Sequence, residues 1–562
     1  MQSIMIVALG IAGMAFGWFV YSRFIANSIY RLDPDFVTPA HEFNDGVDYH
    51  PTNKYVLWGH HFTSVAGAAP IVGPAIAVYW GWVPAVLWVT LGTVFFAGVH
   101  DLGALWASVR HKGKSIGALS EAVIGKRTRA LFMVVVFLVL LMVNAVFGVV
   151  IASAFIGTPS AVFPAWSAIV VALIIGQLIH RNFNLTVLSL LGVLALYFSV
   201  YVGSVMPLEL PENLLGMSGN ANWIVLLFVY AAIASMLPVW VLLQPRDFIN
   251  GMQLFVGLFL LYGAVLLSMP DISAPAFNQQ MAEGSPSLIP LLFVTIACGA
   301  VSGFHGIVSS GTSSKQIDKE TDARFVGYLG AVGEGSLALI TIVAVSGVAL
   351  AATPELWHEI YDKYGTAGAG TFILGGAQMI TNGWGLPTEI ATTLLATMVV
   401  LFAGTTMDSG VRLQRYIIQE WGEIYGIPLF KKGVAATLIA VTCCLLLAFG
   451  AGGASGSGGL IIWPLFGSTN QILAGLTLLV ISVMLIKLGR PARYTLIPMI
   501  FVMITSSWAA VLKLIEFWQA GNWLLVAIDL IVLVTSIMVM LEAASVISTF
   551  RRQGKTADST TS

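Results

Sequence analysis

The chain is 562 residues long, 57% hydrophobic and only 9% charged, with a formal net charge of -1 and a mean hydropathy of +0.88. That composition excludes a soluble globular domain and describes an all-α polytopic membrane protein, with the lipid bilayer as its first partner. Basic residues are spread over many connections rather than gathered in one patch, so no nucleic-acid partner is expected. Cys298, Cys443 and Cys444 all fall inside apolar stretches and offer neither a disulfide framework nor metal-ligand spacing, so no metal or cofactor is read from them.

Apolar windows fall at 3–22, 58–80, 83–107, 130–155, 163–180, 184–206, 221–243, 250–269, 288–313, 326–352, 389–411, 433–450, 460–486, 494–516 and 523–548. They predict about fifteen transmembrane helices. If the 108–129 connection, with Arg110, Lys112, Lys114, Lys126, Arg127 and Arg129, is cytoplasmic, alternation places there every one of the 26 basic residues except Lys363 and Lys513. The N-terminus is then outside and the C-terminus inside.

In chain order, residues 1–22 read as a peripheral N-terminal helix and 23–57 as a cytoplasmic loop, either solvated or packed as a cap beneath the next span. Residues 57–79, LWGHHFTSVAGAAPIVGPAIAVY, place Gly67, Ala68, Ala69, Pro70, Gly73 and Pro74 in the middle of that span, where proline removes a backbone donor and clashes with the preceding turn. A helix that unwinds in hydrocarbon needs protein or a water-filled cavity beside the break, so a substrate site is expected there. The alternative is a proline kink used only for packing. The stretch SIGALSEAVIG is amphipathic and is expected to lie along the inner surface. Asn144, midway along 130–155, is a candidate contact for the substrate or a polar link between helices.

Residues 221–243 carry IASMLPVW and run into LLQPRDFIN, so a second break is expected at Ala234 to Pro238, forming the opposite wall of the site. Two interrupted spans in the first and sixth positions predict two inverted five-helix repeats over 58–425. Residues 426–548 are then additional C-terminal helices and 549–562 a cytoplasmic tail. Residues 353–388 read as a long outer loop folded over a vestibule. No GxxxxGK[ST] phosphate loop occurs, so direct coupling to ATP is not expected.

Ionisable groups inside a membrane are functional candidates by default. His60, His61, His100, Asp101 and His305 fall in the cytoplasmic half of their spans, with Asp408 and Glu334 at similar depth, and are expected to form a layer that takes and releases a proton. For each residue singly, a hydrogen-bonded helix end is the alternative. Ser309, Ser310 and Thr312 offer a sodium site should coupling be to sodium, although such hydroxyls also bond within helices.

FNDGVDYHPTNKYVLWGHHF, AGAAPIVGPAIA, FFAGVHDLGALWASVRHKGKSIG, LPVWVLLQPRDFIN, SSGTSSKQI, TTMDSGVRLQRYIIQE and WPLFGSTNQILAG together resemble the carbon starvation protein A (CstA) family of bacterial inner-membrane transporters. The likeness runs from about residue 50 to 480 and departs at FNDG, where THNDG is usual. The resemblance implies a leucine-transporter-like core of five plus five helices with peripheral helices, and secondary uptake of pyruvate or short peptides under carbon limitation, with proton coupling for pyruvate. It implies no enzyme and no resident cofactor. A nutrient sensor that binds without transport and a histidine-ligated membrane redox enzyme are the alternatives. Oligomeric state has no signature here.

Overall fold

The computed structural model describes residues 2–46, 48–181, 183–211, 214–238, 241–281, 284–347, 359–456 and 458–559. Among them, extended pairing is confined to two isolated bridges, Thr52–Ile317 and Ile272–Gly347, so the fold is all-α. Thirteen helices of the described residues are long and apolar enough to cross a membrane, fourteen with one bent pair.

The helices follow the apolar windows of the sequence. Helix α1 is Gln2–Tyr30. Lys54–Ala66 (α2) and Ala69–Trp80 (α3) form the bent pair, at 47° to one another. Trp82–Arg110 (α4) and Lys126–Gly157 (α5) come next, then Pro159–Ile179 (α6), Leu185–Val205 (α7), Gly219–Met236 (α8) and Leu243–Ser268 (α9). Leu288–Thr295 (α10) and Gly303–Gly311 (α11) are two short pieces joined by unwound chain, each too short to span alone. The rest are Arg324–Ser346 (α12), Ala369–Trp384 (α13), Thr388–Ile424 (α14), Gly433–Gly452 (α15), Gly459–Lys487 (α16), Arg493–Gln519 (α17) and Trp523–Ser559 (α18). Counting α10/α11 with α2/α3 as broken spans accounts for all the apolar windows.

Packing sorts these helices into two matching sets. The first set is α2/α3, α4, α5, α8 and α9, and the second is α10/α11, α12, α14, α15 and α16. In each set the broken helix packs on the fifth member, α2 on α9 and α10/α11 on α16. The second members, α4 and α12, pack on each other, and the third and fourth members of both sets (α5, α8, α14, α15) all touch one another as a four-helix frame. Alternation along the chain makes each member antiparallel to its counterpart, the relation an inverted repeat demands.

Two expectations are corrected by this arrangement. The second break is not at Ala234–Pro238: α8 ends at Met236, and the chain re-enters a helix at Leu243. The break lies between Thr295 and Gly303 instead, because the hairpin α6–α7 is inserted between the third and fourth helices of the first set and moves the count by two. Helices α15 and α16, expected beyond the core, are its last two members. Part of the expected outer loop 353–388 is the helix α13, while its stretch 353–358 lies outside the described residues. Hairpin α6–α7 is peripheral, and α7 turns Leu190, Leu191, Leu194 and Phe198 outward, a helical stripe that only lipid or another chain would cover.

Arg110, Lys315, Arg324 and Arg490 collect at one end of the bundle, the basic end. There residues 31–46 and 48–53 are strapped across the connection from α11 to α12. Thr38 Oγ1 donates to the Ile317 carbonyl at 2.6 Å, Thr52 N–H to the Gln316 carbonyl at 3.0 Å, and His41 Nε2 meets Asp318 Oδ1 at 2.8 Å. The buried Glu320 carboxylate accepts Arg110 Nε at 2.5 Å and Nη2 at 2.7 Å and the Asp33 amide at 2.6 Å. The amphipathic helix Ile116–Val123 docks at this end as well, its Ile116 amide donating to Ser310 Oγ at 2.9 Å.

Replacing Glu320 with Ala removes three bonds and leaves Arg110 without its counter-charge. The expected outcome is a loss of about 1.5–3 kcal/mol, measured as a lower thermal midpoint of the detergent-solubilised protein, with Glu320→Gln intermediate.

Candidate functional site

The two breaks lie side by side. At Gly67 the backbone takes φ 50°, ψ -157°, a conformation open to glycine and strained for other residues. A Cβ there would stand 2.8 Å from Thr406 Oγ1 and 2.9 Å from Phe147 Cε2, so the turn is pressed against α14 and α5. The Ala68 carbonyl then starts α3 by accepting the Ile71 and Val72 amides at 3.1 and 3.0 Å. In the second break Gly299 takes φ +91°, and a Cβ on it would lie 3.6 Å from Pro70 Cβ. Gly73 of α3 approaches the Thr295 carbonyl too closely for any side chain.

Unwound backbone in a membrane must find partners within the protein, and the second break shows where they come from. Gln471 Nε2 donates to the Phe293 carbonyl at 2.7 Å, Trp88 Nε1 to Ile296 at 3.1 Å and Thr93 Oγ1 to Gly299 at 3.0 Å. On the far side of the unwound stretch, Asn470 Oδ1 accepts the Phe304 amide at 2.9 Å. Helices α4 and α16 therefore hold the broken segment open.

A cavity reaches the breaks from each end. The basic-end cavity, about 290 Å³, is lined by Ser64 of α2, Val308 and Thr312 at α11, His60, and the charged Asp48, Asp247, Glu420, Lys315 and Arg412. The cavity at the other end, about 450 Å³, is lined by Val72 of α3, Val149 of α5, Gly459 of α16 and the start of α13. Ser64 and Val72 belong to opposite sides of the Gly67 turn, so the break separates the two cavities.

The expected substrate residues Gly67, Ala68, Ala69, Pro70 and Gly73 are buried in the partition between the two cavities and line neither of them. Asn144 is committed to a link between helices: its Nδ2 donates to Gln414 Oε1 at 3.1 Å. Ala234 and Pro238 line neither cavity. The carbonyls of Ala234 and Leu237 instead accept Arg412 Nη2 at 3.1 and 2.6 Å, which closes the end of α8.

The expected histidine layer divides into separate groups. His60 alone faces a cavity, with its Nδ1 3.2 Å from Asp247 Oδ2. His61 is buried, its Nδ1 2.8 Å from Ser313 Oγ. His100 and His305 share one carboxylate: their Nδ1 atoms lie 2.7 Å from Asp101 Oδ1 and 2.8 Å from Asp101 Oδ2. His305 Nε2 lies 2.9 Å from Glu334 Oε2. Of the sodium candidates, Ser310 Oγ donates to the Gly306 carbonyl at 2.6 Å, Ser309 Oγ is buried without a partner, and Thr312 lines the basic-end cavity.

A second ionic group is only partly visible in the sequence. Arg246 pairs with Asp408, and Tyr230 OH joins both, accepting from Arg246 Nη1 at 2.7 Å and donating to Asp408 Oδ2 at 2.8 Å. Arg246 and Asp247 are adjacent in LLQPRDFIN, and an Arg-Asp pair at a span end is the available signal. It reads equally as an interfacial loop until α9 is seen to begin at Leu243.

The carbon starvation protein CstA family model matches residues 2–360 and 349–509. The chain belongs to the CstA family. Its relatives include the peptide transporter CstA of Campylobacter jejuni, 30% identical over 93% of this chain and 81% of that protein. The peptide transporter CstA of Bacillus subtilis is 29% identical over 93% and 91%, and the pyruvate/proton symporter BtsT of Escherichia coli 31% over 88% and 79%. Among solved structures, MhsT in complex with L-phenylalanine aligns with a TM-score of 0.48 at 13% identity, covering 88% of this chain and 99% of that one. This CstA-family chain is thus a multi-pass membrane protein of the transporter class, with its two breaks meeting between two cavities.

Gly67→Ala in this CstA-family chain is expected to cost about 1–3 kcal/mol of backbone strain. Thermal unfolding in detergent checks it, with Gly59→Ala, where a Cβ meets open space, as the control expected to leave the midpoint in place.

Proposed function

We propose that the protein is a secondary uptake transporter for a small carboxylate, pyruvate-like or the terminus of a short peptide, driven by protons. The observation that carries this reading is the Gly67 turn, which separates a basic-end cavity from an opposite one and abuts the second break at Gly299. A carboxylate at the turn accepts a hydrogen bond from the Ala69 amide, the one first-turn donor of α3 not already used, since Pro70 has no N–H and Ile71 and Val72 donate to Ala68. The N-terminal dipole of α3 favours negative charge there. The basic-end cavity carries Lys315 and Arg412 on its wall together with Asp48, Asp247 and Glu420, so an anion is not held there by net positive charge and is free to leave. The names of the CstA and BtsT relatives support both substrate classes, and BtsT supports the proton.

In this reading the basic end is cytoplasmic, by the positive-inside rule, with the N-terminus periplasmic in a bacterial inner membrane. His60 takes the proton, because among the expected histidines it is the one on a cavity wall, with Asp247 Oδ2 3.2 Å from its Nδ1. Sodium coupling through Ser309 and Thr312 is the competing arm of the experiment.

The decisive measurement is uptake of radiolabelled pyruvate into proteoliposomes under a proton gradient, a sodium gradient and neither. Accumulation under protons alone is expected. His60→Gln and Asp247→Asn are expected to abolish that accumulation while labelled-for-unlabelled exchange persists. No accumulation by folded protein under either gradient, with no competition by short peptides, would overturn the reading.

A further inference from the structure

The buried group around Glu334 has a chemistry that transport of a carboxylate does not use. Cys298 lies in the unwound stretch of the second break, His305 on α11 and Glu334 on α12. Cys298 Sγ, a ring nitrogen of His305 and a carboxylate oxygen of Glu334 lie within 4.8 Å of one another, and all three residues are buried. The carboxylate of Glu334, a residue 1% exposed, is approached by the Gly299 amide and by His305 Nε2, and neither contact is a well-aligned hydrogen bond. His305 Nε2, although 2.9 Å from Oε2, is likewise left without an aligned partner. Neither Glu334 nor Asp101 meets a lysine or arginine among the described residues.

The surroundings are arranged as an outer shell. Asp101 accepts from His305 Nδ1 at 2.8 Å, which directs Nε2 at Glu334. With no ion present a second proton on Nε2 makes the ring an imidazolium between two carboxylates, and an ion that displaces that proton takes the Nε2 lone pair. A lone pair facing a carboxylate repels unless something positive stands between them. Carboxylate, imidazole and ion in that order is the usual support of a metal-bound histidine. On the other side, the Cys298 thiol donates to Ser302 Oγ at 3.3 Å and accepts from Asn470 Nδ2 at 3.4 Å. Asn470, itself fixed by the Phe304 amide, keeps its bond to the sulfur once the thiol gives up its proton. A proton between His305 and Glu334 would satisfy one nitrogen and one oxygen only. A dication meets the nitrogen, the carboxylate and the sulfur together, and its two charges offset those of Glu334 and ionised Cys298.

We propose that Cys298, His305 and Glu334 bind a divalent first-row metal ion of borderline softness, with zinc the best match to a thiolate, imidazole and carboxylate set. The Cys298 thiol loses its proton to solvent as the metal is taken up during folding. Asp101 and Asn470 are positioning residues. The ion ties the unwound second break to α12 directly and to α4 through Asp101, which makes it a fastener of the broken helix rather than cargo.

The test uses full-length protein purified on a tag without histidine, with metal content read by elemental mass spectrometry and the site exchanged with cobalt. Stoichiometric zinc, and a thiolate-to-cobalt charge-transfer band in the near ultraviolet, are expected. Cys298→Ser should remove the band and Glu334→Gln should lower metal content, while Cys443→Ser, a half-buried cysteine outside the set, leaves both unchanged. If a variant does not fold, the wild-type cobalt spectrum and the Cys443 control decide alone. Folded wild-type protein with no bound zinc and no thiolate band would overturn the proposal. None of these readouts involves uptake, so their failure leaves the transport reading standing, and the converse also holds.

Discussion

The constraint on which this structure rests is that every peptide group inside a bilayer must find its partner within the protein. Regular helices meet it locally, at no cost to their neighbours. The two breaks do not, and much of the core is arranged around them: Trp88, Thr93 and Gln471 supply donors to carbonyls that an intact helix would have used itself. The two breaks also explain each other. Glycine at 67 and 299 lets the turns pass close to Phe147 and Pro70, and the contact between Gly73 and Thr295 brings the outer half of one broken helix against the start of the other.

Charge inside the core obeys the companion rule that buried ions are paired or bound. Arg246 joins Asp408 and Tyr230 on one side and reaches Asp247 on the other, at 3.8 Å, so the pair of His60 and Asp247 on the cavity wall is continuous with it. His61 meets Ser313, and Asp101 joins two imidazoles deep beside the second break. What looks along the sequence like one layer at one depth is three separate environments: the chain from His60 to Asp408, His61 with Ser313, and the group around Asp101.

Much of the fold was legible in the sequence because hydropathy is a local property. The apolar windows became helices, the Gly-Ala-Ala-Pro break became a break, and the family resemblance held over the chain. The position of the second break was not legible. LPVW resembles an interruption, but Pro238 simply comes after the end of α8. The real break, IACGAVS, contains no proline, and only its pairing with Trp88, Thr93 and Asn470 from distant segments holds it unwound. The inserted hairpin α6–α7 is equally apolar and cannot be told from a core pair by composition. Among site residues, the Gly67 turn was readable because its own residues force it. The partition of the histidines was not, since depth along a span does not tell which neighbour a ring meets. Cys298 was invisible for the same reason: its companions are separated from it by turns of helix and by a whole second span.

The inserted hairpin also bears on how such a chain is able to grow. Two matching halves stay inverted only if an even number of crossings separates corresponding members from their usual places. A single added helix between α3 and α10 would turn every later member upside down and destroy the pairing of the two breaks, and one added between α11 and α16 would invert the members after it. Helices α6 and α7 come as a couple, α17 and α18 come as a couple, and α13, alone among the additions between core members, is only 16 residues long and sits in a connection without reversing it. The solitary α1 is tolerated because it precedes the first half, where it changes the side on which the chain begins and nothing else. Growth by twos is thus a rule of arithmetic imposed by the symmetry, and it marks where further domains are admissible in relatives of different length.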